Sequence, residues 1–369
     1  MEKSLYFDYV QKFFPQLVLS IVEKLNEKRN NSLSYMYRQM LTPRFSADGR
    51  WSSVLAEYTR VAADVVSLDS ELPLKSRDSI EVAHGDIPKL GMKLYMTEKQ
   101  LSDLDAMIAQ QLPLNQILRN MFSDTPRCIE GIYERIEDLF LSMLSTGVGL
   151  SSRNDGSGIR LNMGYREENK FAAGANAFYT KDGSGKVTYN VDAPAMDAIE
   201  KVFDKALEDQ YTITDVYMDD YALRALYNNN QVKQQFAFLQ NFVGANIPTL
   251  NLEQVSQIFM SRWNVQVHRV SRAIKTEING KKVNHNPWQE GMMVFTCDEN
   301  VGDLVYTFLA EQTRPVDGVV YENADEFILA SRYSTNDPLR EYTSSQARVV
   351  PIINNVDQIY QLDTTLVEA

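Results

Sequence analysis

The adjacent carboxylates Asp219 and Asp220 are the feature of the sequence closest to a catalytic or metal-binding site. They follow the apolar run Ile213–Met218, which predicts a strand, and precede a helical segment that begins at Tyr221. A carboxylate pair in such a place can hold a divalent cation or share a proton. However, neighbouring strand residues point to opposite faces, and acids are stabilised at helix N-termini. The sequence therefore favours a helix cap, and a metal-dependent hydrolase remains the weaker alternative.

The other groups that could attack a substrate or bind a metal are few and far apart. Among them, His84, His268 and His285 fit no metal-ligand spacing such as HxH or HExxH. Cys128 lies in a predicted helix, and Cys297 ends a predicted strand. A Cys–His nucleophile would require folding to bring Cys297 beside a histidine, which nothing in the sequence indicates. We therefore predict that the protein is not an enzyme and has no catalytic residue, cofactor or metal.

A basic-aromatic cluster consists of Trp263, Arg262, Arg269 and Arg272. Aromatic rings beside arginines can form stacking platforms for single-stranded nucleic acid. The alternation of apolar and polar residues over 265–271 instead predicts an ordinary strand with one solvated face. We favour the strand, with nucleic-acid binding as the alternative.

Two glycine clusters, at 154–158 and 181–185, resemble phosphate-binding loops only superficially. Neither has the residue order of such a loop, and neither opens a helix at the required distance. The first lies between two alternating segments, so we predict a β-hairpin with a tight turn there, and we predict a second turn at 181–185.

The composition narrows the class of protein. The 369 residues are 44% apolar and 23% charged, which is typical of a globular chain with more than one core. The net charge of -12 argues against tight binding of nucleic acid by phosphate neutralisation. Two cysteines cannot form a disulfide framework, and neither a transmembrane run nor a signal peptide is evident. We expect a soluble protein of a reducing cytoplasm.

The first quarter of the chain contains segments that lack a core of their own. An amphipathic helix is predicted over 4–28, with a kink or restart at Pro15 and with one face formed by Tyr6, Val10, Phe13, Leu17, Ile21 and Leu25. That face packs either on the chain's own core or on a neighbouring subunit. Strands are predicted at 61–68, 79–83 and 93–96, within a protruding hairpin arm. Because an isolated hairpin is marginal in water, we expect the arm to need a partner surface.

Helices and strands then alternate to the end of the chain. The strongest helix is predicted over 127–146, about 30 Å long, and should end at Gly147 and Gly149. From Pro194 we predict an α+β module of about 140 residues, within the usual size of a domain. Its predicted elements are a helix at 194–210, strands at 213–218, 265–274 and 292–296, and a polar loop at 284–290. The alternation at 341–361 predicts a strand that returns to an earlier sheet.

Several short motifs, taken in order, resemble the major capsid proteins of lambda-type tailed phages. Ile159–Tyr165, followed by acids and Asn169, resembles the glycine-and-acid motif after that family's β-hairpin, and Cys128–Gly147 resembles its long helix. The run Asn336–Thr343 resembles the family's Asp-Pro, Arg-Glu, aromatic-Thr signature, and Asp357–Leu362 resembles its closing segment. Each motif alone is weak, and their collinear order is the specific part.

The resemblance implies an α+β protein with the Hong Kong 97 capsid fold. It implies an N-terminal arm (1–47), an extended β-hairpin loop (48–96), a peripheral domain with a long spine helix (97–193 and 341–369) and an axial domain (194–340). Because Met1 begins the arm, we expect no delta-domain before it.

The function implied by the resemblance is a major capsid protein of a bacteriophage or prophage. Copies would self-assemble as hexamers and pentamers into an icosahedral shell that encloses double-stranded DNA without sequence-specific binding and without a membrane. Candidate partners are portal, scaffold and decoration proteins, and the protein would be assembled in the host cytoplasm into the virion. An encapsulin-like nanocompartment shell is the alternative on the same fold. Phe13 and Leu17 are the predicted contacts between subunits.

Overall fold

The structure is a computed structural model, and it is described here for residues 2–27, 35–56, 80–152, 158–241, 249–278 and 280–367. The chain forms two compact units, each assembled from separate stretches of sequence. The first consists of Met1–Trp51, His84–Phe140 and Asp303–Ile352, and the second of Ser52–Ala83, Leu141–Gly302 and Ile353–Ala369.

The first half of the chain, to the end of the spine helix and its following hairpin, is rich in helix. Its elements are α1 (Phe7–Glu27), α2 (Tyr37–Met40), β1 (Leu41–Phe45), β2 (Arg50–Ala56), β3 (Ile80–Asp86), β4 (Lys89–Met96), α3 (Glu98–Ala109), α4 (Leu114–Met121), α5 (Asp124–Thr146), β5 (Val148–Ser152) and β6 (Gly158–Asn162). The predicted spine is α5, and Gly147 follows it with a positive φ of 75°, as a helix-ending glycine requires.

The second half alternates strands and helices. Its elements are β7 (Lys170–Ala172), β8 (Tyr179–Lys181), β9 (Val187–Tyr189), α6 (Ala195–Glu208), β10 (Asp215–Asp219), α7 (Asp220–Asn228), α8 (Asn230–Leu239), α9 (Leu252–Trp263), β11 (Gln266–Val270), β12 (Ile274–Ile278), β13 (Lys281–His285), β14 (Met292–Thr296), β15 (Gly302–Thr307), α10 (Ala310–Thr313), β16 (Val320–Ala324), β17 (Ile328–Thr335), β18 (Arg340–Ile353) and β19 (Ile359–Asp363). The chain is therefore α+β, as predicted.

The first unit is built on a six-stranded sheet that the spine helix covers. The strand order is β1-β15-β18-β17-β16, and β4 also pairs with β18. Alternate residues of β18 are buried, and two of them face α5: the Ser345 hydroxyl donates to the Cys128 carbonyl (2.5 Å), and the Cys128 thiol donates to the Thr343 carbonyl (3.5 Å). The predicted return of 341–361 to an earlier sheet is thus confirmed for β18.

Helix α1 packs on its own chain, which decides between the two alternatives that the sequence leaves open. Its side chains Val10, Phe14 and Val18 are fully buried, and Phe14 stacks on Phe122 with ring centroids 6.1 Å apart. The predicted face was therefore right at Tyr6, Val10 and Ile21, which are buried, and wrong at Phe13 and Leu17, whose neighbours Phe14 and Val18 are buried instead. Apolar residues occur in pairs at 13–14 and 17–18, so periodicity alone cannot choose between the two faces.

Helix α1 is continuous over 21 residues with Pro15 inside it, so the predicted restart was wrong. A proline inside a helix removes one backbone hydrogen bond. The apolar face continues on both sides of it, and burial of that face stabilises the helix through the proline.

A buried ion pair fixes the start of the chain to the sheet. The Arg332 and Glu341 side chains are both 0% exposed, with Nε and Oε1 3.0 Å apart. Glu341 also accepts hydrogen bonds from the Ser4 hydroxyl and from the Leu5 amide (3.1 Å). Glu2 pairs with Ser334 as an isolated β-bridge. The N-terminal residues are thus held by the carboxylate of a strand more than 330 residues later.

The second unit contains a five-stranded mixed sheet in the order β11-β10-β14-β19-β7. Strands β11 and β7 run parallel to their neighbours, and the other pairs are antiparallel. Helix α6 packs against β19 and β7, while α7 and α9 pack against β11. The core between sheet and helices includes the fully buried Ile199, Val216, Leu226, Val255 and Phe295.

Small hairpins complete the fold. The predicted hairpin before Ile159–Tyr165 is confirmed as β5 paired with β6, although its turn lies outside the described residues. Strands β2 and β3 pair at the base of the predicted arm, while the predicted strand at 61–68 also lies outside the described residues. The polar loop predicted over 284–290 was partly wrong, because 281–285 form β13 paired with β12 and Trp288 is 2% exposed.

The boundaries of the two compact units differ from those of the peripheral and axial domains that the resemblance implies. Strands β15, β16 and β17 share a sheet with β18, so residues 303–340 belong to the same unit as 341–352. In addition, Lys89–Met96 pairs with β18 and is a strand of that sheet. The assignment of the domain names to these residues stays a prediction.

Candidate functional site

Asp219, the first of the two adjacent carboxylates, forms the helix cap that the sequence predicts. Asp219 is the N-cap of α7: its Oδ1 accepts from the Ala222 amide (2.9 Å), and its Oδ2 accepts from the Gly291 amide (3.0 Å). Asp220 instead binds Arg269 through both carboxylate oxygens, at 2.5 and 2.9 Å. Burial raises the pKa of Asp219. The two carboxylates therefore serve different partners, which gives a hydrolase no support.

We expect Asp219→Ala to lower the free energy of unfolding by about 2 kcal/mol, because the cap is lost and a buried amide loses its acceptor. The matched control is Asp220→Ala, where the lost ion pair is partly exposed and should cost less than about 1 kcal/mol. Urea titration of both variants measures the difference. Equal losses would show that Asp219 is not a structural cap.

The histidines and cysteines have separate environments. His268 stacks on Tyr217 (4.7 Å between ring centroids) and contacts the Asp215 carboxylate at 2.7 Å. Burial raises the pKa of each thiol, Cys128 and Cys297, to about 12, so both stay protonated near neutral pH. In the part of the chain that the structure describes, no three His, Cys, Asp or Glu side chains are grouped to hold a metal ion.

The basic-aromatic cluster is divided between a helix and a strand. Arg262 and Trp263 end α9, where Arg262 pairs with Glu200 and the Trp263 ring stacks on Phe203 at 4.6 Å. Arg269 lies on β11, the strand predicted there, and pairs with Asp220. Two of the cations are thus already neutralised and the ring is already stacked, so the cluster offers no platform for nucleic-acid bases.

The second glycine cluster is a turn and not a phosphate loop. It joins β8 to β9, and the Asp182 carboxylate accepts hydrogen bonds from the Ser184 and Lys186 amides at 3.0 and 2.9 Å. An anion would be repelled by that carboxylate. The prediction of a turn at 181–185 is confirmed.

The residues that carry the family resemblance have structural roles. Leu161, Met163 and Tyr165 of the first motif are buried. The Asn169 side-chain amide donates to the carbonyls of Asp357 (3.0 Å) and Ile359 (3.2 Å), which belong to the closing motif. Motifs nearly 190 residues apart in sequence therefore meet in the second unit.

The Arg-Glu, aromatic-Thr signature lies on β18 in the first unit. Glu341 is the buried partner of Arg332. On the opposite face of the sheet, the Tyr342 ring stacks on the Tyr333 ring, with centroids 5.2 Å apart. The centroid of the Tyr95 ring lies 5.8 Å from that of Tyr342. The signature thus supplies residues to both faces of the sheet, Glu341 and Thr343 to the buried face and Arg340 and Tyr342 to the other.

Exposed aromatic side chains form a patch on the first unit, which we call the Phe45 patch. It consists of Phe45 (43% exposed), Phe308 (59% exposed) and Tyr306, with the two phenylalanine rings 4.7 Å apart. Large exposed aromatic residues of this kind are typical of protein interfaces. Sequence patterns do not reveal this patch, because Phe45 lies more than 250 positions before Tyr306 and Phe308. The predicted contacts Phe13 and Leu17 are only half-buried, and Leu19 is an exposed apolar residue of α1.

A groove of about 350 Å³ lies on the same unit, over the face of the sheet that carries Tyr333. Lys89 and Glu311 form an ion pair of 2.9 Å in its lining. Met92 and Val316, which are 36% and 44% exposed, also line it. The groove mixes apolar and charged groups, as protein-binding surfaces do.

Several solved structures are similar to this chain. The capsid protein candidate of a prophage of Escherichia coli CFT073 matches with a TM-score of 0.56 and 11% identity, over 95% of this chain and 98% of that chain. The asymmetric unit of the mature capsid of bacteriophage PhiM1 gives a TM-score of 0.47 and 10% identity, over 89% and 86%. A phage-related protein of Bordetella bronchiseptica RB50 gives 0.46 and 9%, over 94% and 96%.

The fold is therefore that of Hong Kong 97-like capsid proteins. None of the described helices is both long and apolar enough to span a bilayer. No curated protein matches the sequence significantly. The family model for phage major capsid protein E matches residues 55–364, which is most of the chain. By this match, the chain belongs to the phage major capsid protein E family.

Proposed function

We propose that copies of this chain form the icosahedral shell of a phage or prophage head, as hexamers and pentamers around double-stranded DNA. The observation that carries the proposal is the family match over residues 55–364. The finer parts of the proposal are assembly in the host cytoplasm and contact with portal and scaffold proteins. A shell protein needs surfaces that bind other copies, and the Phe45 patch is suited to that role.

Assembly of this kind depends on many weak contacts. Each contact gains about 25 cal/mol for each Å² of apolar surface that it buries, less the entropy lost on association. A closed lattice multiplies such contacts because every copy is held by several neighbours. Phe45 and Phe308 are half-exposed in the subunit, so a contact between copies could bury the apolar area of both rings.

The acidic charge suits a container for DNA. With a net charge of -12, the subunit repels phosphates more than it attracts them, so packaged DNA stays free to leave. We propose that the inner wall encloses the duplex without sequence-specific binding. A strongly basic inner wall in an assembled shell would contradict this part of the proposal.

The proposal predicts that purified wild-type protein sediments as closed shells or as hexamers and pentamers, alone or with its scaffold protein. We expect Phe308→Ser to reduce the assembled fraction at least about tenfold, because polar substitution at the centre of an interface removes a major part of its binding energy. The matched control is Leu114→Ser. Leu114 is 46% exposed on the first unit and lies outside the Phe45 patch, so we expect this variant to assemble as wild type does.

Sedimentation velocity measures all three proteins at one concentration. Wild-type protein that stays monomeric under every condition, with scaffold included, would overturn the proposed function. A Phe308→Ser protein that assembles as well as the control would show that the Phe45 patch is not a contact between subunits.

A further inference from the structure

One face of the six-stranded sheet packs on α5, and the opposite face carries a row of tyrosines. On that face, Tyr342 of β18 lies opposite Tyr95 of β4 on one side and opposite Tyr333 of β17 on the other. Two residues further along β18, Ser344 lies opposite Lys93. Because side chains alternate between the two faces of a strand, the same face also includes Lys89, Gly91, Ser331, Arg340, Gln346 and Arg348. We call this surface the tyrosine face.

The tyrosine face is positively charged, although the chain as a whole is acidic. Its described strand positions include no carboxylate and four cations, Lys89, Lys93, Arg340 and Arg348. The adjoining loops add one cation, Arg314, and three carboxylates, Glu311, Asp317 and Asp337. The surface thus keeps an excess of positive charge on a chain whose net charge is -12. Such a local reversal of sign favours an acidic partner.

Two of these cations lie against tyrosine rings and not against carboxylates. The Arg340 guanidinium carbon is 4.2 Å from the centroid of the Tyr95 ring, and Lys93 Nζ is 5.1 Å from that of Tyr342. Within the described part of the chain, neither cation has a carboxylate at ion-pair distance, whereas Lys89 has Glu311 at 2.9 Å. A ring face positions a cation without neutralising it. Lys93 and Arg340 can therefore each bind a carboxylate of a partner.

The shape of the surface also suits a partner. The groove of about 350 Å³ lies over the tyrosine face, and small residues of its lining, Gly91, Ser331 and Ser344, leave room above the strands. Val316, in the loop after α10, lines the groove and is 44% exposed. The connection that contains this loop begins at Phe308 of the Phe45 patch. The groove is thus continuous with the surface that the proposed function assigns to contacts between copies.

Single-stranded nucleic acid is another anionic occupant for a surface with aromatic rings and cations. Binding of bases requires open ring faces on which they can stack. Here Tyr333 is only 7% exposed, its ring stacks on that of Tyr342 at 5.2 Å, and Arg340 lies over the Tyr95 ring. The rings are already in contact with one another or with a cation, so an acidic protein surface fits this face better.

We propose that the tyrosine face is a contact between copies of this chain, in which Lys93 and Arg340 bind carboxylates of the neighbouring copy. Two copies that each have a net charge of -12 repel one another, so their association needs a local surface of opposite sign. The tyrosine face supplies that surface, and the acidic excess of the next copy supplies its partner. The inference rests on the proposed shell function, and it identifies one of the surfaces that hold the shell together.

The test reverses the charge of the face and compares it with the same change elsewhere. The reversed variant carries Lys93→Glu and Arg340→Glu. The matched control carries Lys99→Glu and Arg119→Glu, at exposed positions of α3 and α4, and has the same net charge. In sedimentation velocity at one protein concentration, we expect the assembled fraction of the reversed variant to be at least about tenfold below that of the control, because like charges across an interface repel. A variant that keeps the charges, Lys93→Arg with Arg340→Lys, should assemble as wild type does.

Lysine acetylation gives a second measurement, which needs no variant. Lys93 and Lys99 are both exposed in the subunit, so a water-soluble acetylating reagent should modify both in unassembled protein. Assembly should slow the acetylation of Lys93 at least about tenfold, because groups inside an interface are excluded from water, and should leave Lys99 unchanged. Mass spectrometry of the digested protein measures both rates.

Three results would overturn the inference while leaving the proposed function intact. The first is a reversed variant that assembles as well as the control, and the second is Lys93 that reacts equally fast in shells and in subunits. The third is binding of a labelled oligo(dT) strand that wild type shows and the reversed variant loses, which would assign the face to nucleic acid. Wild-type protein that never assembles would contradict the proposed function itself, and this contact with it.

Discussion

Arg332→Met should be among the most destabilising single substitutions in this protein, with a loss of about 3–5 kcal/mol in the free energy of unfolding. The reason is the carboxylate that it leaves behind. The Glu341 side chain is 0% exposed, and its Oε1 lies 3.0 Å from Nε of Arg332. The substitution removes this guanidinium and leaves the buried carboxylate without its cation. The Ser4 hydroxyl and Leu5 amide donate to the same carboxylate, so the N-terminal residues should loosen with it. Urea titration of unassembled subunits measures the loss.

The double variant Arg332→Met with Glu341→Gln distinguishes charge from packing. A neutral glutamine keeps a carbonyl acceptor for Leu5 and removes the uncompensated buried charge, so most of the lost stability should return. Faster proteolysis of residues 2–6 in the single variant should disappear in the double variant. A single variant within about 1 kcal/mol of wild type would contradict the role assigned to this ion pair.

Phe14→Ala should cost about 3–5 kcal/mol in the unassembled subunit, because a fully buried aromatic ring leaves a cavity. Phe14 is 0% exposed and stacks on Phe122 within its own chain. The expected loss is independent of protein concentration, since the ring packs on no other copy. Thermal unfolding at two concentrations, each below the threshold for assembly, measures it.

Phe13→Ala is the matched control, at the next position of the same helix. Phe13 is only half-buried and its ring lies 6.5 Å from that of Tyr9, so about 1 kcal/mol is expected. Similar losses for both variants, or a loss from Phe14→Ala that appears only when copies associate, would show that α1 binds a neighbouring subunit instead.

Local patterns were sufficient to predict most of the elements that carry the fold. The spine helix α5 was predicted because its apolar residues recur with helical spacing for 20 positions and a glycine ends it. The cap at Asp219 was predicted because acids are favoured where a helix begins. Both features depend on residues that are close together in the chain, so the sequence alone is enough to predict them.

Features that depend on distant residues could not be predicted in this way. The side chains of Arg332 and Glu341 are nine positions apart and become partners only through the register of β17 with β18. The choice between Phe13 and Phe14 as the buried ring needs the position of Phe122. The Phe45 patch likewise requires β1 to lie beside β15. A strand or helix pattern contains no information about such pairings.

Self-assembly into a shell is tested directly by electron microscopy of the purified wild-type protein, alone and with a candidate scaffold protein. We predict closed, regular shells, or isolated rings of six and five copies. A field of single subunits at every concentration, salt and scaffold ratio would contradict it.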